Sequence, residues 1–340
     1  MRDAAWQETS WKWYENTQAF LPLYGLHENS RCTLLSFSEN AVYRVEGPGG
    51  VVHVLRLHRP HYREIAEIQA EITFIDRLIE DRVLQTPPVL PAVDGKKLVI
   101  IGSGEREQHA VLFRYFEGHM PQADGLDRDF FRLGIISARL HDYTHANAAL
   151  NSLERPQWTV ATTIGEQAMW GGWKHNHAMS AEQHQVLDAA DQMVRRRLAA
   201  YGRPDNRWGL LHGDMRLANI LSNKEEMCLI DFDDCGFSWH MYELACACTF
   251  NEYGPDIESL CSNWVQGYQS QRALDDADVA MIPTMLMLRR LLMVGWFATH
   301  RHSTEAQALE GGFVETSVVM AKDYLSGGFL SDLVSGSAAA

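Results

Sequence analysis

Three oxygen-bearing side chains in one short stretch, Asp214, Asn219 and Asp231, have the types and spacing to do chemistry. Asp214 follows the strand-like run that ends in Leu211-His212-Gly213. A carboxylate placed there can accept a proton from a substrate hydroxyl. Asn219, five residues on, offers a neutral amide oxygen, and Asp231, twelve residues further, offers an anionic one after Leu229-Ile230. Neutral and anionic oxygens from two strand ends suit magnesium, which takes few protein ligands and completes its shell with phosphate oxygens. A base beside an amide and a carboxylate that share metal is the arrangement phosphoryl transfer requires, because positioning and charge neutralisation are the protein's main contributions. Asp233 is a candidate second metal contact and Asp234 could orient the loop. Arg216 either neutralises phosphate or makes a structural ion pair, and His212 is expected to hold the loop by hydrogen bonds rather than take protons.

The spacing Asp-x4-Asn followed by a strand-end Asp resembles the kinase catalytic loop and its metal-binding Asp. His212-Gly213-Asp214 and Ile230-Asp231-Phe232-Asp233-Asp234 point more narrowly. They resemble the aminoglycoside phosphotransferase-like enzymes, a group that includes choline kinases, type II homoserine kinase and the bacterial stress-response serine/threonine kinase. The resemblance runs from about Phe37 to Tyr324. It implies an α+β, protein-kinase-like two-lobed fold, with a small β-rich N-terminal lobe holding ATP and a larger helical C-terminal lobe. Asp214, Asn219 and Asp231 would be catalytic, and Asn219, Asp231 and Asp233 would hold Mg2+.

On the nucleotide side the resemblance implies a loop over the phosphates, Ser36-Phe37-Ser38-Glu39-Asn40, with Ser38 and Asn40 as contacts. It implies a cation on the third strand, here Arg56 where many relatives carry Lys; Arg keeps the charge but presents a planar fork. A surface arginine on an edge strand is the competing reading of Arg56. A helix carboxylate should pair with that cation. Glu64, Glu67 and Glu71 all flank the apolar stripe, and helical angles do not separate Glu64 from Glu71; the resemblance favours Glu71. Adenine would bind along the hinge Leu112–Gly118, near Phe113, Tyr115 and Phe116. Glu243 stands where the family usually has an Asp that braces the catalytic loop.

These groups need elements to position them. Cys32–Phe37, Ala41–Val45 and Val51–Leu57 read as strands, with a hairpin turn at Glu46-Gly47-Pro48-Gly49-Gly50. A helix from Tyr62 to Ile79 carries the stripe Ile65, Ile68, Ile72, Ile75 and Ile79. Thr86-Pro87-Pro88 and Pro91 break the chain, and Lys97–Ile101 with Ala110–Phe116 form a second hairpin, giving five strands. Beyond Gly118, helices are expected over Leu126–His141, Thr159–Trp170, a Ser180-capped stretch to Tyr201, Trp239–Phe250, Ile257–Ser270, Ala277–Thr299 and once more before the tail. Trp208–His212, Ile220–Leu221 and Met227–Phe232 read as strands around the catalytic loop, and Gly327–Ala340 as frayed. The implied domains are 1–117, 118–330 and a tail, 331–340.

Composition narrows the partners. The 340 residues suffice for about two domains. Thirty basic against 44 acidic residues give a net charge of −14, without the basic footprint that nucleic acid demands. The six cysteines form no Cys-x-x-Cys pair and read as reduced core thiols of a cytoplasmic protein. His141 and His145 have Asp142 where a zinc protease would have Glu. Met1–Tyr14, with Trp6, Trp11 and Trp13, lacks the pattern of a signal peptide. Met281–Phe297 is broken by Pro283, Arg289 and Arg290, so it reads as a buried helix rather than a bilayer span. Gly102-Ser103-Gly104 is not a dinucleotide fingerprint, and no P-loop exists. Trp170-Gly171-Gly172-Trp173 lies where family members often build the acceptor site; it reads as an amine cage or as helix packing. The expected reaction is transfer of the ATP γ-phosphoryl group to a hydroxyl of an amino alcohol, sugar or aminoglycoside-type antibiotic. A stress-response serine/threonine kinase is one alternative, and a regulator that binds nucleotide without turnover is another.

Overall fold

The computed structural model describes residues 16–176, 179–223, 226–301, 304–309 and 311–337, so the tract Met1–Tyr14 lies outside the described residues. The chain divides into two compact units: one runs to Glu117 and takes in His300–Gln307, and the other holds Gly118–Thr299 and the chain from Ala308 onward.

The first unit is built on β1 (Arg31–Phe37), β2 (Ala41–Glu46) and β3 (Val52–Leu57), an antiparallel meander. Next to β3 lies β6 (Gln108–Arg114), which also pairs with β4 (Val89–Leu90) and β5 (Leu98–Ile101). The sheet therefore has six strands rather than five. The extra strand is Val89–Leu90, opposite Phe113 and Leu112. Pro88 and Pro91 flank it without interrupting it, and their missing N–H groups limit it to two residues. Along β2, Ala41, Tyr43 and Val45 point into the core and alternate with half-buried neighbours, as the two-residue period of a strand dictates. They meet Phe20, Leu21, Leu55, Leu57, Ala110 and Leu112.

The helix of this unit, α1 (Ile65–Glu80), begins later than the sequence pattern suggests. His61 sits at φ 60°, which a helix cannot continue through. Glu64 is the N-cap and Glu67 closes a capping box with it. Ile68, Ile72, Phe74, Ile75 and Leu78 form the buried face, and Glu71 lies among them.

The second unit is mainly helical. Helix α2 (Leu126–Ala146) packs closely against a later one, Ile257–Gln269. Two glycines permit this: a Cβ on Gly134 would stand 2.0 Å from Trp264 O, and one on Gly267 would stand 1.9 Å from Phe131 O. The expected helix over Thr159–Trp170 shrinks to the single turn α3 (Val160–Thr163). There the chain folds back after Gly165, with Gln167 N and Met169 N donating to Ala161 O and Thr162 O. Helix α4 (Ala181–Tyr201) carries the Ser180–Gln183 capping box read from the sequence.

The strands β7 (Trp208–Leu211), β8 (Ile220–Ser222) and β9 (Met227–Leu229) follow. A fourth, β10 (Gly236–Trp239), replaces the start of the helix expected over Trp239–Phe250, because it pairs with β7. Only α5 (Tyr242–Ala247) is helical there, and Phe250 at φ 71° lies past its end. Helix α6 (Ile257–Gln269) then leads to α7 (Asp276–Thr299). Apolar nearly all round, α7 is long and apolar enough to cross a bilayer, yet 94% of its most apolar stretch is buried inside the protein. After α8 (Thr304–Leu309) and α9 (Phe313–Ser326), the described part of the tail expected to fray contains α10 (Ser331–Ser337). Phe329 and Leu330, both buried, anchor its start.

Candidate active site

In the first unit, β3 and α1 bring a buried ion pair together. Arg56 Nη2 lies 2.6 Å from Glu71 Oε2, with side chains 4% and 0% exposed. The edge-strand reading of Arg56 fails because β3 runs between β2 and β6. Glu64 and Glu67 are committed to the helix start, which leaves Glu71 as the partner that the helical period alone could not select. Phe113 packs against the Arg56 guanidinium at 5.2 Å. It lies inside β6, whereas Tyr115 and Phe116 follow the strand end at Arg114. The β1–β2 turn closes through Ser38 N donating to Asn40 O. Asn40 is buried and its Oδ1 accepts from Arg59 N at 3.2 Å, tying the turn to the end of β3. Glu39 meets His300 at 2.8 Å.

In the second unit, the loop after β7 is fixed by one carboxylate. Glu243 Oε2 accepts from His212 N at 2.8 Å, and Oε1 from Gly213 N at 3.1 Å. Burial pushes the Glu243 carboxyl above its ordinary range, and His212 with these two amides works against that rise. Gly213 has φ 80°, and a Cβ there would stand 2.4 Å from Asp234 O, so only glycine fits. His212 Nδ1 accepts from Asp214 N at 3.2 Å, so its Nε2 carries the proton and donates to Ile230 O at 3.0 Å. Burial holds its pKa down, and the ring is neutral with both nitrogens engaged. It ties the loop together and has no site left to take a proton.

Asp214 is the centre of the network. Its Oδ2 accepts from Asn219 Nδ2 at 2.8 Å and Arg216 Nε at 3.1 Å, and its Oδ1 from Arg289 Nη2 at 2.5 Å. Burial pushes this carboxyl up, but Arg216 and Arg289 outweigh it and hold it below the usual aspartate range. Asn219 Nδ2 donates also to Asp214 O at 2.9 Å, which leaves the amide oxygen as its remaining polar atom. The tip holding Asp231 is joined to the same loop, because Ile230 N donates to Asn219 O at 2.9 Å. Asp231 is exposed and sits at φ 63°, a left-handed conformation that costs a non-glycine residue on the order of 1 kcal/mol or more. That turn ends the strand at Leu229, short of the expected Phe232. Phe232 packs under the His212 ring at 4.5 Å.

Asp233 is buried, and its main-chain oxygen accepts from Arg155, which also donates to Cys235 O at 2.7 Å. Trp158 Nε1 donates to Asp234 O at 2.8 Å. Among the described residues no three His, Cys, Asp or Glu cluster as a metal site. The donor set that fits a hard divalent cation is smaller: the free Asn219 oxygen and the exposed Asp231 carboxylate on tips that the Ile230–Asn219 bond ties together.

Arg289 was not among the expected site residues. The available signal was an arginine inside the most apolar helix, since a buried guanidinium requires a partner. The segment Trp170-Gly171-Gly172-Trp173 is packing rather than an open cage: both tryptophans are buried, and Trp173 Nε1 donates to Asp191 at 2.9 Å. Gly171 lies against α7, where a Cβ on Gly295 would stand 2.1 Å from Gly171 O.

Residues 32–278 match the model of the phosphotransferase enzyme family. The chain belongs to that family. It is a kinase with an alcohol group as acceptor, in the protein-kinase-like fold. The solved structure of a microcompartment-associated aminopropanol kinase is 34% identical, covering 93% of this chain and 99% of that one with a TM-score of 0.84. The amicoumacin kinase of Bacillus subtilis is 21% identical over 286 residues, covering 80% of this chain and 81% of its own length. An amicoumacin kinase solved with AMP-PNP, Ca2+ and Ami is 20% identical with a TM-score of 0.73, covering 93% of this chain and 94% of that one.

Proposed function

We propose that this kinase transfers the γ-phosphoryl group of ATP to the hydroxyl of a small amino alcohol. The observation that carries the reading is the hydrogen-bonded set Asp214–Asn219 joined to the Asp231 tip. The amino-alcohol class is supported by the 34% identity to the aminopropanol kinase over nearly the whole chain. Six free cysteines are in keeping with a reducing cytoplasm.

Asp214 Oδ2 already accepts two hydrogen bonds and Oδ1 one, so the acceptor hydroxyl donates to the lone pair left on Oδ1. As the hydroxyl oxygen bonds to the γ-phosphorus, the bond to the β–γ bridging oxygen breaks, the proton passes to Asp214 and ADP leaves. A carboxylate held at low pKa serves this step because the phosphoryl transition state is loose and catalysis rests on positioning and charge. Arg56, fixed by Glu71, would hold phosphate oxygens of ATP, Ser38 and Asn40 would supply further contacts, and Phe113, Tyr115 and Phe116 would serve the adenine. Asn219 and Asp231, with Asp233 as a further contact, would hold Mg2+, which supplies charge neutralisation at the phosphate oxygens. His212 and Glu243 keep the loop in shape.

The test is ADP release against a panel of amino alcohols, sugars, aminoglycosides and a protein extract, with Asp214→Asn run alongside. Turnover should follow the amino alcohols and fall by about 10²–10⁴-fold in the variant, with AMP-PNP affinity kept. Wild-type turnover in Asp214→Asn would remove the carboxylate from the mechanism. Phosphorylation of protein alone would replace the acceptor class.

A further inference from the structure

Arg289 is 1% exposed on α7, yet all three of its nitrogens are engaged. Nε donates to Thr249 Oγ1 at 3.1 Å, Nη1 to Tyr242 Oη at 3.3 Å and Nη2 to Asp214 Oδ1 at 2.5 Å. The Trp170 ring packs against the guanidinium at 5.1 Å, and Trp170 is itself tied to α7 by Thr299 Oγ1 donating to its carbonyl at 2.7 Å. A planar fork gripped at three corners and covered on a face cannot turn. Among the described residues, three side chains donate to Asp214: Arg216 and Asn219 belong to its own loop, and Arg289 comes from another element.

Stability does not explain this arrangement. A buried ion pair is seldom better for folding than an apolar pair of the same volume, and α7 is otherwise built of apolar side chains. Arg290, the next residue, shows the structural alternative. Its guanidinium donates to Glu252 at 2.9 Å, Ser317 Oγ at 2.7 Å and Phe313 O at 3.2 Å, partners in the helical unit that lie later in the chain than the catalytic loop.

We infer that Arg289 is a positioning residue for phosphoryl transfer: it fixes the Oδ1 atom that receives the acceptor hydroxyl, and registers it against α7 and Trp170. The inference rests on the reading of Asp214 as the base. Losing Arg289 leaves Arg216 and Asn219 on Oδ2, so the carboxylate keeps partners but is free to swing about them. A displacement on the order of 1 Å at a reacting group costs roughly 10²-fold in rate.

The experiment measures kcat, both KM values, AMP-PNP affinity and Tm on the full chain for Arg289→Gln, Arg289→Lys, Arg290→Lys and Asp214→Asn. Arg289→Gln should lower kcat about 10²-fold while the KM for ATP and AMP-PNP affinity stay within about twofold. Arg289→Lys, which keeps the charge and loses the fork, should fall in between, and it carries the test should the Gln variant fail to fold. Arg290→Lys should lower Tm with kcat unchanged. The inference is overturned when both Arg289 variants keep wild-type kcat while Asp214→Asn is inactive, or when Arg290→Lys loses kcat equally. A fully active Asp214→Asn instead overturns the reading of the base, whatever Arg289 does.

Discussion

Replacing Glu71 by Gln removes the anion from a pair at 2.6 Å whose members are 4% and 0% exposed. The Arg56 guanidinium, buried against Phe113, then loses the carboxylate that faces it. Breaking such a pair from one side costs about 3–5 kcal/mol; the retained amide oxygen still accepts one hydrogen bond, so the lower end applies. A unit of about 125 residues lies between the roughly 4–8 °C per kcal/mol of smaller domains and the 2–4 °C of larger ones, so the thermal transition of this unit should fall by about 10 °C. Calorimetry reads this directly. The companion variant, Arg56→Met with Glu71→Leu, separates folding from function. Apolar replacement of a buried pair is neutral or stabilising, so the transition should recover, whereas AMP-PNP affinity measured by titration should not. An unchanged transition in Glu71→Gln, or wild-type nucleotide affinity in the double variant, would refute the reasoning.

Other perturbations follow from the same geometry. Gly213→Ala meets Asp234 O at 2.4 Å in a left-handed conformation; kcat should drop by roughly 10²-fold with AMP-PNP affinity kept, and unchanged turnover would contradict the account of the loop. Gly267→Ala places a Cβ 1.9 Å from Phe131 O and should lower Tm by several degrees through separation of α2 and α6; an unshifted Tm would contradict the close approach. Burial holds His141 and His240 well below the ordinary histidine range, with Arg272 adding to the depression of both. The folded state thus keeps both rings neutral where the unfolded chain, with pKa near 6.5, takes up protons. Stability is full above about pH 6.5 and is lost as pH falls toward 5.5, by roughly 2–3 kcal/mol for the two rings together. Urea unfolding at pH 7.5 and 5.5 measures the difference, and equal stabilities would show that the rings titrate normally.

The loop that joins Asp214, Asn219 and Asp231 was legible in the sequence because its information is local: the three lie within eighteen residues, and their spacing is set by one loop and short flanking strands. Glu71 was half legible. Glu64 and Glu71 are two turns apart on one face, and only the capping box at Glu64 and Glu67 separates them. What escaped depends on partners far along the chain. The strand Gly236–Trp239 exists through pairing with Trp208–Leu211, and a short stretch with a glycine and two aromatics gives no period to read. Arg289 reads as an interruption of an apolar run until Asp214, 75 residues earlier, supplies the reason for a cation there. The helix expected over Thr159–Trp170 failed for the opposite cause: the Thr159–Thr162 box is real, but Gly165 lets the chain reverse one turn later.

The membership of His300–Gln307 in the small unit bears on how this enzyme can be recombined with its relatives. A chimera joined at Glu117 and Gly118 would inherit Glu39 from one parent and His300 from the other. Exchanging the small unit as a working module therefore calls for two grafts, the second only a few residues long and lying almost 200 positions downstream of the first junction.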